Sequence, residues 1–285
     1  MRHAPLLLLL LALASCGGRL AHQVQEAEKG EFALPPGTRV LQVQVEIGNV
    51  TVHPGPAGSV GFDASVRIAA DTPELLAAVQ RVGYRLGLRP GDAPGVAVLG
   101  LPAPPAGETV DPKAYLRMVR AVLRVPPDLE VVVRSGEGHL AAQGRTARVE
   151  LQSGRGDLHL KECRADAVLQ TRRGTVVVDG HAGALKVRSD DCSVQAMQLF
   201  VREVGAGGLD VYTSHGDIVA FLPENAAFEM DVVVPMGKGK NGFQIPITRE
   251  DGVVLMQGKV HGGGPRVHLE SRRGSISLGA ERAAR

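Results

Sequence analysis

A short pattern recurs along the sequence at intervals of 18 residues, and this repeat limits the possible folds more than any other feature. In each copy an alternating apolar segment ends in a hydroxyl residue, and period-two alternation is typical of β-strands with one buried face. The regular copies are Val131-Val132-Val133-Arg134-Ser135, Val149-Glu150-Leu151-Gln152-Ser153, Ala167-Val168-Leu169-Gln170-Thr171 and Leu185-Lys186-Val187-Arg188-Ser189. Leu209-Asp210-Val211-Tyr212-Thr213 and Val267-His268-Leu269-Glu270-Ser271 follow at altered spacing.

A glycine stands three positions after the hydroxyl residue in nearly every copy. These glycines are Gly138, Gly156, Gly174, Gly216 and Gly274, and Cys192 replaces glycine in one copy. A second alternating run such as Asp157-Leu158-His159-Leu160 comes next. Glycine at a fixed place after a turn indicates a positive φ or a close backbone approach. Each repeat is therefore predicted to be strand, turn, strand, and an opening copy spans residues 41–52 with Val45 in place of the hydroxyl residue.

One repeat cannot fold alone. It offers about four inward apolar side chains worth roughly 1.5–3 kcal/mol each, whereas ordering costs about 1–2 kcal/mol for each residue. Stacked repeats share their cores and form hydrogen bonds along the stack. We therefore predict an all-β fold, a parallel β-helix or β-solenoid built from rungs of about 18 residues with two strands each.

Residues 70–125 depart from the repeat. Thr72-Pro73-Glu74 supplies a helix N-cap and a first-turn proline before an apolar run, so a short helix is predicted near residues 73–83, covering one end of the stack. Residues 90–112 contain six prolines and are predicted to form a long loop.

The repeat domain is predicted to span residues 38–279, followed by a tail at 280–285. A second insertion, at residues 223–264, contains apolar residues at strand spacing and is predicted to add irregular strands. These residues are Phe228, Met230, Val232 and Val234.

The N-terminus predicts export and lipid attachment. A basic start at Arg2 is followed by an apolar run that contains six consecutive leucines, which is typical of a secretory signal peptide, here residues 1–15. The run of about eleven apolar residues falls short of the roughly 20 that a membrane-spanning helix needs. Leu13-Ala14-Ser15-Cys16-Gly17 resembles the bacterial lipobox.

That resemblance implies a thioether from the Cys16 thiol to diacylglycerol, cleavage after Ser15 and acylation of the new amine. Two or more acyl chains hold a protein stably to a bilayer, so no transmembrane helix is needed. Gly17 stands where lipoproteins retained in the inner membrane often carry Asp, which favours an outer-membrane location in the cell envelope. Residues 16–37 would then be the lipidated N-terminus and a linker.

The turn sequences resemble those of the bacterial "putative adhesin" family of β-strand-repeat domains. The turns are Ser153-Gly154-Arg155-Gly156-Asp157-Leu158, Thr213-Ser214-His215-Gly216-Asp217-Ile218 and Ser271-Arg272-Arg273-Gly274-Ser275-Ile276. Val125-Pro126 and Gly262-Gly263-Gly264 also match the family, whereas Asp190-Asp191-Cys192 departs from its glycine turn. The resemblance covers residues 38–279 and implies the fold but not the function. Members of the family are also found near envelope-stress systems, so an envelope-stress accessory role stays an alternative to adhesion.

Charged residues at the predicted turns form a mixed, mainly basic edge. Its in-register positions are Glu137, Arg155, Arg173, Asp191, His215 and Arg273, with Arg172 and Arg272 beside them. The arginines are candidates for binding anionic glycans or lipid headgroups, and solvated charges at exposed turns explain the pattern equally well. Arg155-Gly156-Asp157 also spells the integrin-binding tripeptide, but Gly156 and Asp157 recur as Gly216-Asp217, which favours a structural role.

Catalytic residues are not evident in the sequence. His139 and Asp157 lie in register one repeat apart, but they lack a third ligand or a nucleophile, so neither catalysis nor metal binding is predicted. Nor do the outward strand positions form the carboxylate cluster of a polysaccharide-cleaving β-helix enzyme. These positions are Glu150, Val168, Lys186, Asp210 and His268. We therefore predict a non-enzymatic protein without a cofactor, and a polysaccharide lyase is the alternative that fold analogy alone supports.

Composition narrows the choice of partner. Lys+Arg number 32 against 30 Asp+Glu, and aromatic residues make up 3% with no Trp, so a nucleic-acid partner is not predicted. The expected partners are a membrane, through lipid on Cys16, and an envelope protein or glycan. Cys163 and Cys192 fall at different points of their repeats and are predicted to be separate thiols.

Overall fold

A computed structural model describes residues 22–82, 85–101, 115–193 and 195–281. The predicted signal peptide at 1–15 and the predicted lipidation site Cys16 lie outside these residues. In the described part of the chain the protein is all-β, with one short helix and a single mixed sheet of 20 strands. The predicted all-β class is therefore confirmed.

The helix is α1 (Pro73–Val82). The strands are β1 (His22–Ala33), β2 (Val40–Pro54), β3 (Ser59–Ala70), β4 (Gly87–Pro90), β5 (Val96–Gly100), β6 (Tyr115–Val125), β7 (Glu130–Glu137), β8 (Leu140–Gln143), β9 (Val149–Arg155), β10 (Leu158–Lys161), β11 (Ala167–Arg173), β12 (Val176–Asp191), β13 (Met197–His215), β14 (Ile218–Pro223), β15 (Phe228–Val234), β16 (Gly239–Asn241), β17 (Ile247–Glu250), β18 (Val253–Val260), β19 (Arg266–Arg273) and β20 (Ile276–Glu281).

The strands form two ladders. The long strands β2, β12 and β13 belong to both ladders, because one half of each strand pairs in the first ladder and the other half in the second. The first ladder runs in the order β4, β5, β2, β7, β9, β11, β12, β13, β19, β15, β18, β17. The second runs β1, β3, β6, β2, β8, β10, β12, β13, β14, β20, β16. We call one strand of each ladder with the turn between them a rung.

Neighbouring strands in the middle of each ladder are parallel and follow the sequence repeat. In the first ladder Val131 pairs with Val149, and Val149 with Ala167, a step of one sequence repeat each time. The second ladder keeps the same step, since Leu140 pairs with Leu158. The period of the sequence is thus the period of the strand pairing.

Inward side chains of the two ladders form one hydrophobic core. Leu151 and Leu169, which were predicted to lie inside, are both 0% exposed. The apolar residues of the second insertion, predicted at strand spacing on β15, are also buried. Each inward apolar side chain contributes about 1.5–3 kcal/mol when fully buried, so the stacked core supplies the stability that one repeat lacks.

The hydroxyl and glycine positions of the repeat form two columns at the turn. The Ser153 hydroxyl donates a 3.0 Å hydrogen bond to the carbonyl of Gly138 in the preceding rung, and the Ser271 hydroxyl donates at 2.8 Å to the carbonyl of Gly216. A Cβ atom on Gly156 would lie 2.0 Å from the Gly138 carbonyl oxygen, and φ of Gly156 is 146°. Both predicted reasons for glycine, positive φ and close approach, are confirmed there.

The short helix predicted near residues 73–83 is confirmed. The Leu75 N–H donates to the Thr72 hydroxyl at 3.2 Å, as expected of an N-cap, and the helix ends at Val82. It packs on β1, β3 and β6, with Val79 buried, and so covers one end of the second ladder.

Two segments outside the repeat are more ordered than the sequence indicated. β1 lies within the predicted linker at 16–37 and pairs with β3 in antiparallel register from His22 opposite Ala70. β5 lies within the predicted loop at 90–112 and pairs in parallel with β2. Both segments lack the repeat glycine, yet each forms backbone hydrogen bonds by pairing with a strand at a ladder end.

The second insertion extends the first ladder. β19 lies between β13 and β15 although β15 precedes it in the chain, since Val267 pairs with both Leu209 and Met230. β18 and β17 then continue the ladder in antiparallel register. Cys163 and Cys192 are both buried and free, which confirms the prediction of separate thiols.

Candidate functional site: a groove on the outer face of the first ladder

Outward side chains of the first ladder line up in columns because its strands are parallel and in register. One column contains Gln44, Arg134, Gln152, Gln170, Arg188, Tyr212 and Glu270. Nearer the turn, the groove is lined by Glu46, Gly136, Gly154, Arg172 and Asp190. The part of the first column from Gln44 to Arg188, together with the second column, lines a groove of about 840 Å³ that Arg89, Leu101 and Arg117 complete at one end.

Glycines form part of the floor of this groove. A Cβ atom on Gly154 would lie 2.4 Å from the Gly136 carbonyl oxygen and 3.1 Å from the Arg172 guanidinium. Because these positions carry no side chain, the backbone is open to a ligand and the Arg172 side chain lies close against it.

Cations outnumber anions among the charged side chains that line the groove. Five arginines, Arg89, Arg117, Arg134, Arg172 and Arg188, line it against the two carboxylates Glu46 and Asp190. The amides of Gln44, Gln152 and Gln170 also line it, and an amide offers both hydrogen-bond donors and an acceptor.

Some of these arginines are already paired. Arg117 lies 3.1 Å from Glu46, and Arg134 lies 3.1 Å from Glu150. Arg188 lies 2.5 Å from Asp210. Arg89 and Arg172, in contrast, have no carboxylate within salt-bridge distance in the part of the chain that the structure describes. Two cations of the groove are therefore available to an incoming anion.

A cluster of charged residues continues the same face beyond the groove. Asp231 accepts hydrogen bonds from His268 Nδ1 at 3.0 Å, from Gln257 at 3.0 Å and from Arg266. Partial burial raises the pKa of Asp231, but these hydrogen bonds outweigh it and the net pKa is lowered. Sequence reasoning missed this cluster because the pairing of β19 with β15 brings Asp231 beside His268.

The predicted outward positions from Glu150 to His268 form a single column on this face, as expected. Glu150 is paired with Arg134 and Asp210 with Arg188. These carboxylates therefore neutralise groove arginines and do not converge on one point.

The predicted basic edge divides into two parts. Arg155, Arg173 and Arg273 lie in the turn column, where Arg155 is 3.4 Å from Glu137 and Arg173 is 3.4 Å from Asp191. Arg273 donates to His215 Nε2 at 3.3 Å. Most of the charged side chains in the turn column are therefore paired with one another.

The other two arginines of the edge face the first ladder. Arg172 lines the groove, whereas the Arg272 guanidinium lies 5.4 Å from the Tyr212 ring centroid. Arg188 lies 5.6 Å from the same ring, so both are cation–π contacts. The structure therefore does not bring the five predicted arginines into one site.

His139 and Asp157 are close together, with His139 Nδ1 3.0 Å from Asp157 Oδ2. Asp157 Oδ1 also accepts from the Thr175 N–H at 2.7 Å, and Asp217 accepts likewise from the Ser275 N–H at 2.7 Å. These side chains therefore connect consecutive rungs, which favours the structural role for the Arg155-Gly156-Asp157 turn too. Across the described ranges no group of three metal-ligating side chains is placed to hold an ion.

Sequence reasoning also missed a buried polar column. Arg145, Cys163 and His181 stand one sequence repeat apart and are each 0% exposed. Arg145 donates to the carbonyls of Val125 at 2.8 Å and of Pro126 and Leu129 at 2.6 Å each. Burial lowers the pKa of Arg145 and of His181 and raises that of the Cys163 thiol. Arg145 thus links three backbone carbonyls at one corner of the stack, and the three side chains of the column are not exposed to a ligand.

An exposed polar groove on a sheet face, without a converging nucleophile and base among the described residues, has the geometry of a binding surface. No family model matches the chain, and no curated protein sequence matches it. The chain is similar to the solved structure of a putative cell adhesion protein from Clostridium sporogenes, at 9% identity and a TM-score of 0.34, covering 90% of this chain and all of that one. A putative adhesin from Bacteroides fragilis is similar at 13% identity and a TM-score of 0.36, covering 89% of this chain and 97% of that one. No helix in the described residues is long and apolar enough to cross a bilayer.

Proposed function

We propose that the protein is a lipid-anchored lipoprotein of the bacterial cell envelope that acts as a non-enzymatic β-solenoid scaffold or adhesion module. The groove on the first ladder is the observation that carries this proposal. Its polar groups are distributed along several rungs, and such a surface suits repeated weak contacts with a partner, whereas catalysis needs groups converging within hydrogen-bond reach.

The parallel pairing at a step of one sequence repeat supports the β-solenoid architecture. The turn sequences, which resemble the "putative adhesin" family, support membership of that family. The lipobox-like sequence ending at Cys16 supports lipid attachment, and Gly17 after it supports sorting to an outer membrane. The protein would then reach its partner from a membrane surface.

A capture experiment combined with an activity screen tests this function. The mature protein, purified in a non-ionic detergent, should retain components from envelope extracts and show no turnover of glycans, esters or peptides. Capture of nothing from any envelope fraction would contradict the scaffold.

A polysaccharide lyase is the second candidate, favoured by one observation, the pairing of His268 with Asp231 on the open face. Glycan turnover that disappears in His268→Ala, His139→Ala or Asp157→Ala would establish the enzyme in place of the scaffold.

A further inference from the structure

We propose that the groove binds a linear anionic polysaccharide that lies along the stack axis, with its acidic groups at the arginines and its hydroxyls at the glutamines. The inference rests on the proposed function, because it names the class of ligand that the scaffold would hold.

The shape of the groove favours an extended ligand. The column from Gln44 to Arg188 crosses β2, β7, β9, β11 and β12, which is about 19 Å at roughly 4.8 Å for each of the four intervals. These strands are hydrogen-bonded on both sides, so a ligand cannot join them as an added strand and must contact their side chains.

The uncharged groups of the groove fit sugar hydroxyls. Gln152 and Gln170 stand directly opposite each other in consecutive rungs, and Gln44 lies two rungs before Gln152. An amide can donate to one hydroxyl and accept from the next. Gln152 and Gln170 recur at the rung spacing, so they suit a polymer whose polar groups also recur, with Gln152 offering its N–H groups because its oxygen already accepts from Arg134 Nε at 3.2 Å.

The excess of positive charge in the groove favours an anionic ligand. Arg172 lies against the glycine floor and, like Arg89, has no carboxylate at salt-bridge distance within the described ranges. A guanidinium binds carboxylate or sulfate oxygens through paired N–H groups, and such charge-assisted hydrogen bonds are the strong ones. An acidic polymer would supply the missing partners.

The same lining disfavours neutral glycans and apolar peptides. Val45 and Leu101 are the apolar side chains that line the groove, and none of its described lining residues is aromatic. Binding energy from ring stacking or from hydrophobic anchors is therefore small. Charge and hydrogen bonding have to supply the affinity, which selects an acidic sugar polymer.

The test measures binding of polygalacturonate and heparin to the mature protein in a non-ionic detergent by calorimetry at low salt. Dextran, poly-glutamate and glycerophosphoglycerol, the water-soluble headgroup of phosphatidylglycerol, serve as the neutral glycan, the acidic peptide and the anionic headgroup. We expect one or both acidic glycans to bind, more weakly as salt rises, and dextran not to bind.

Arg172→Gln should weaken glycan binding about tenfold, the loss of one charge-assisted hydrogen bond. Arg173→Gln is the matched control, since it removes the same charge from the next residue, which pairs with Asp191 in the turn column. It should leave the dissociation constant unchanged within about twofold. Equal melting temperatures would show that both variants are folded.

Three results would overturn the inference: no binding of either acidic glycan, tighter binding of poly-glutamate or glycerophosphoglycerol, or equal weakening by both variants. If envelope extracts still yield a protein partner in those cases, the scaffold function stands and only the glycan ligand is wrong. If nothing is captured either, both fail.

Discussion

Replacing Gly156 with Ala tests whether close backbone approach at the turn holds the rungs together. The new Cβ would stand 2.0 Å from the Gly138 carbonyl oxygen, far inside van der Waals contact, so the two rungs have to separate. Separation weakens two backbone hydrogen bonds between these rungs, from the Gly138 N–H to the Arg155 carbonyl at 2.7 Å and from the Leu140 N–H to the Asp157 carbonyl at 2.9 Å.

The expected cost is about 2–6 kcal/mol of unfolding free energy. An L-residue at φ of 146° is strained by about 1–3 kcal/mol. Each of the two weakened hydrogen bonds adds about 0.5–1.5 kcal/mol. Chemical denaturation followed by far-ultraviolet circular dichroism measures the loss as a lower midpoint at unchanged slope.

Gly37→Ala is the control that separates strain from crowding. Gly37 has a φ of 79°, but a Cβ atom there would meet nothing within 4 Å. It should lose only about 1–2 kcal/mol, the usual cost of a left-handed conformation. Equal losses in the two variants would refute the close-approach argument and leave backbone strain as the whole effect.

Three further outcomes are expected. Leu151→Asp should lower the melting temperature sharply, because Leu151 is 0% exposed and the new carboxylate would be buried without a partner. The control Val168→Asp, at an outward position, should not lower it. Equal melting temperatures of the two variants would mean that the inward face is assigned wrongly. Burial lowers the pKa of His181 below its ordinary 6.5, so the unfolded chain takes up the proton first. Stability should therefore be full above about pH 6.5 and fall as the pH drops toward the folded-state pKa, and His181→Gln should flatten this dependence in denaturation curves at pH 5 to 7. Cys16→Ser should abolish metabolic labelling with a fatty acid, and label remaining on the variant would exclude the lipobox assignment.

The sequence predicted the middle of the fold well because parallel, in-register stacking turns a sequence period directly into a spatial one. Val131, Val149 and Ala167 need no long-range information to be placed, since each repeats the environment of the one before. The position of β15 beyond β19 is different. Chain order does not determine it, because either strand could add to the open edge of β13.

The candidate site was only partly predictable for related reasons. The columns that hold Gln152 and Arg172 follow from the repeat, but the depth of the groove depends on Arg89 and Leu101 from the irregular part of the chain. Arg145 shows a second limit. Its spacing of one sequence repeat from Cys163 is visible in the sequence, yet a charged side chain is almost never fully buried unless partners satisfy it, and those partners are backbone carbonyls.

The two outer faces of the stack differ in chemistry, although the same repeats build both. On the second ladder the outward column holds mainly small, apolar or uncharged side chains: Thr51, Ala141, His159, Val177, Gln198, Val219 and Ser277. On the first ladder the matching column carries arginines and glutamines. Packing in the core constrains the inward residues, and close approach at the turns constrains the glycine and hydroxyl residues. The outward residues are therefore the ones that the fold constrains least. Parallel pairing does not require arginine at Arg134, Arg172 or Arg188. Arg134 and Arg188 form ion pairs with Glu150 and Asp210, whereas Arg172 has no carboxylate at salt-bridge distance within the described ranges, so Arg172 is the one of the three whose charge the fold does not account for.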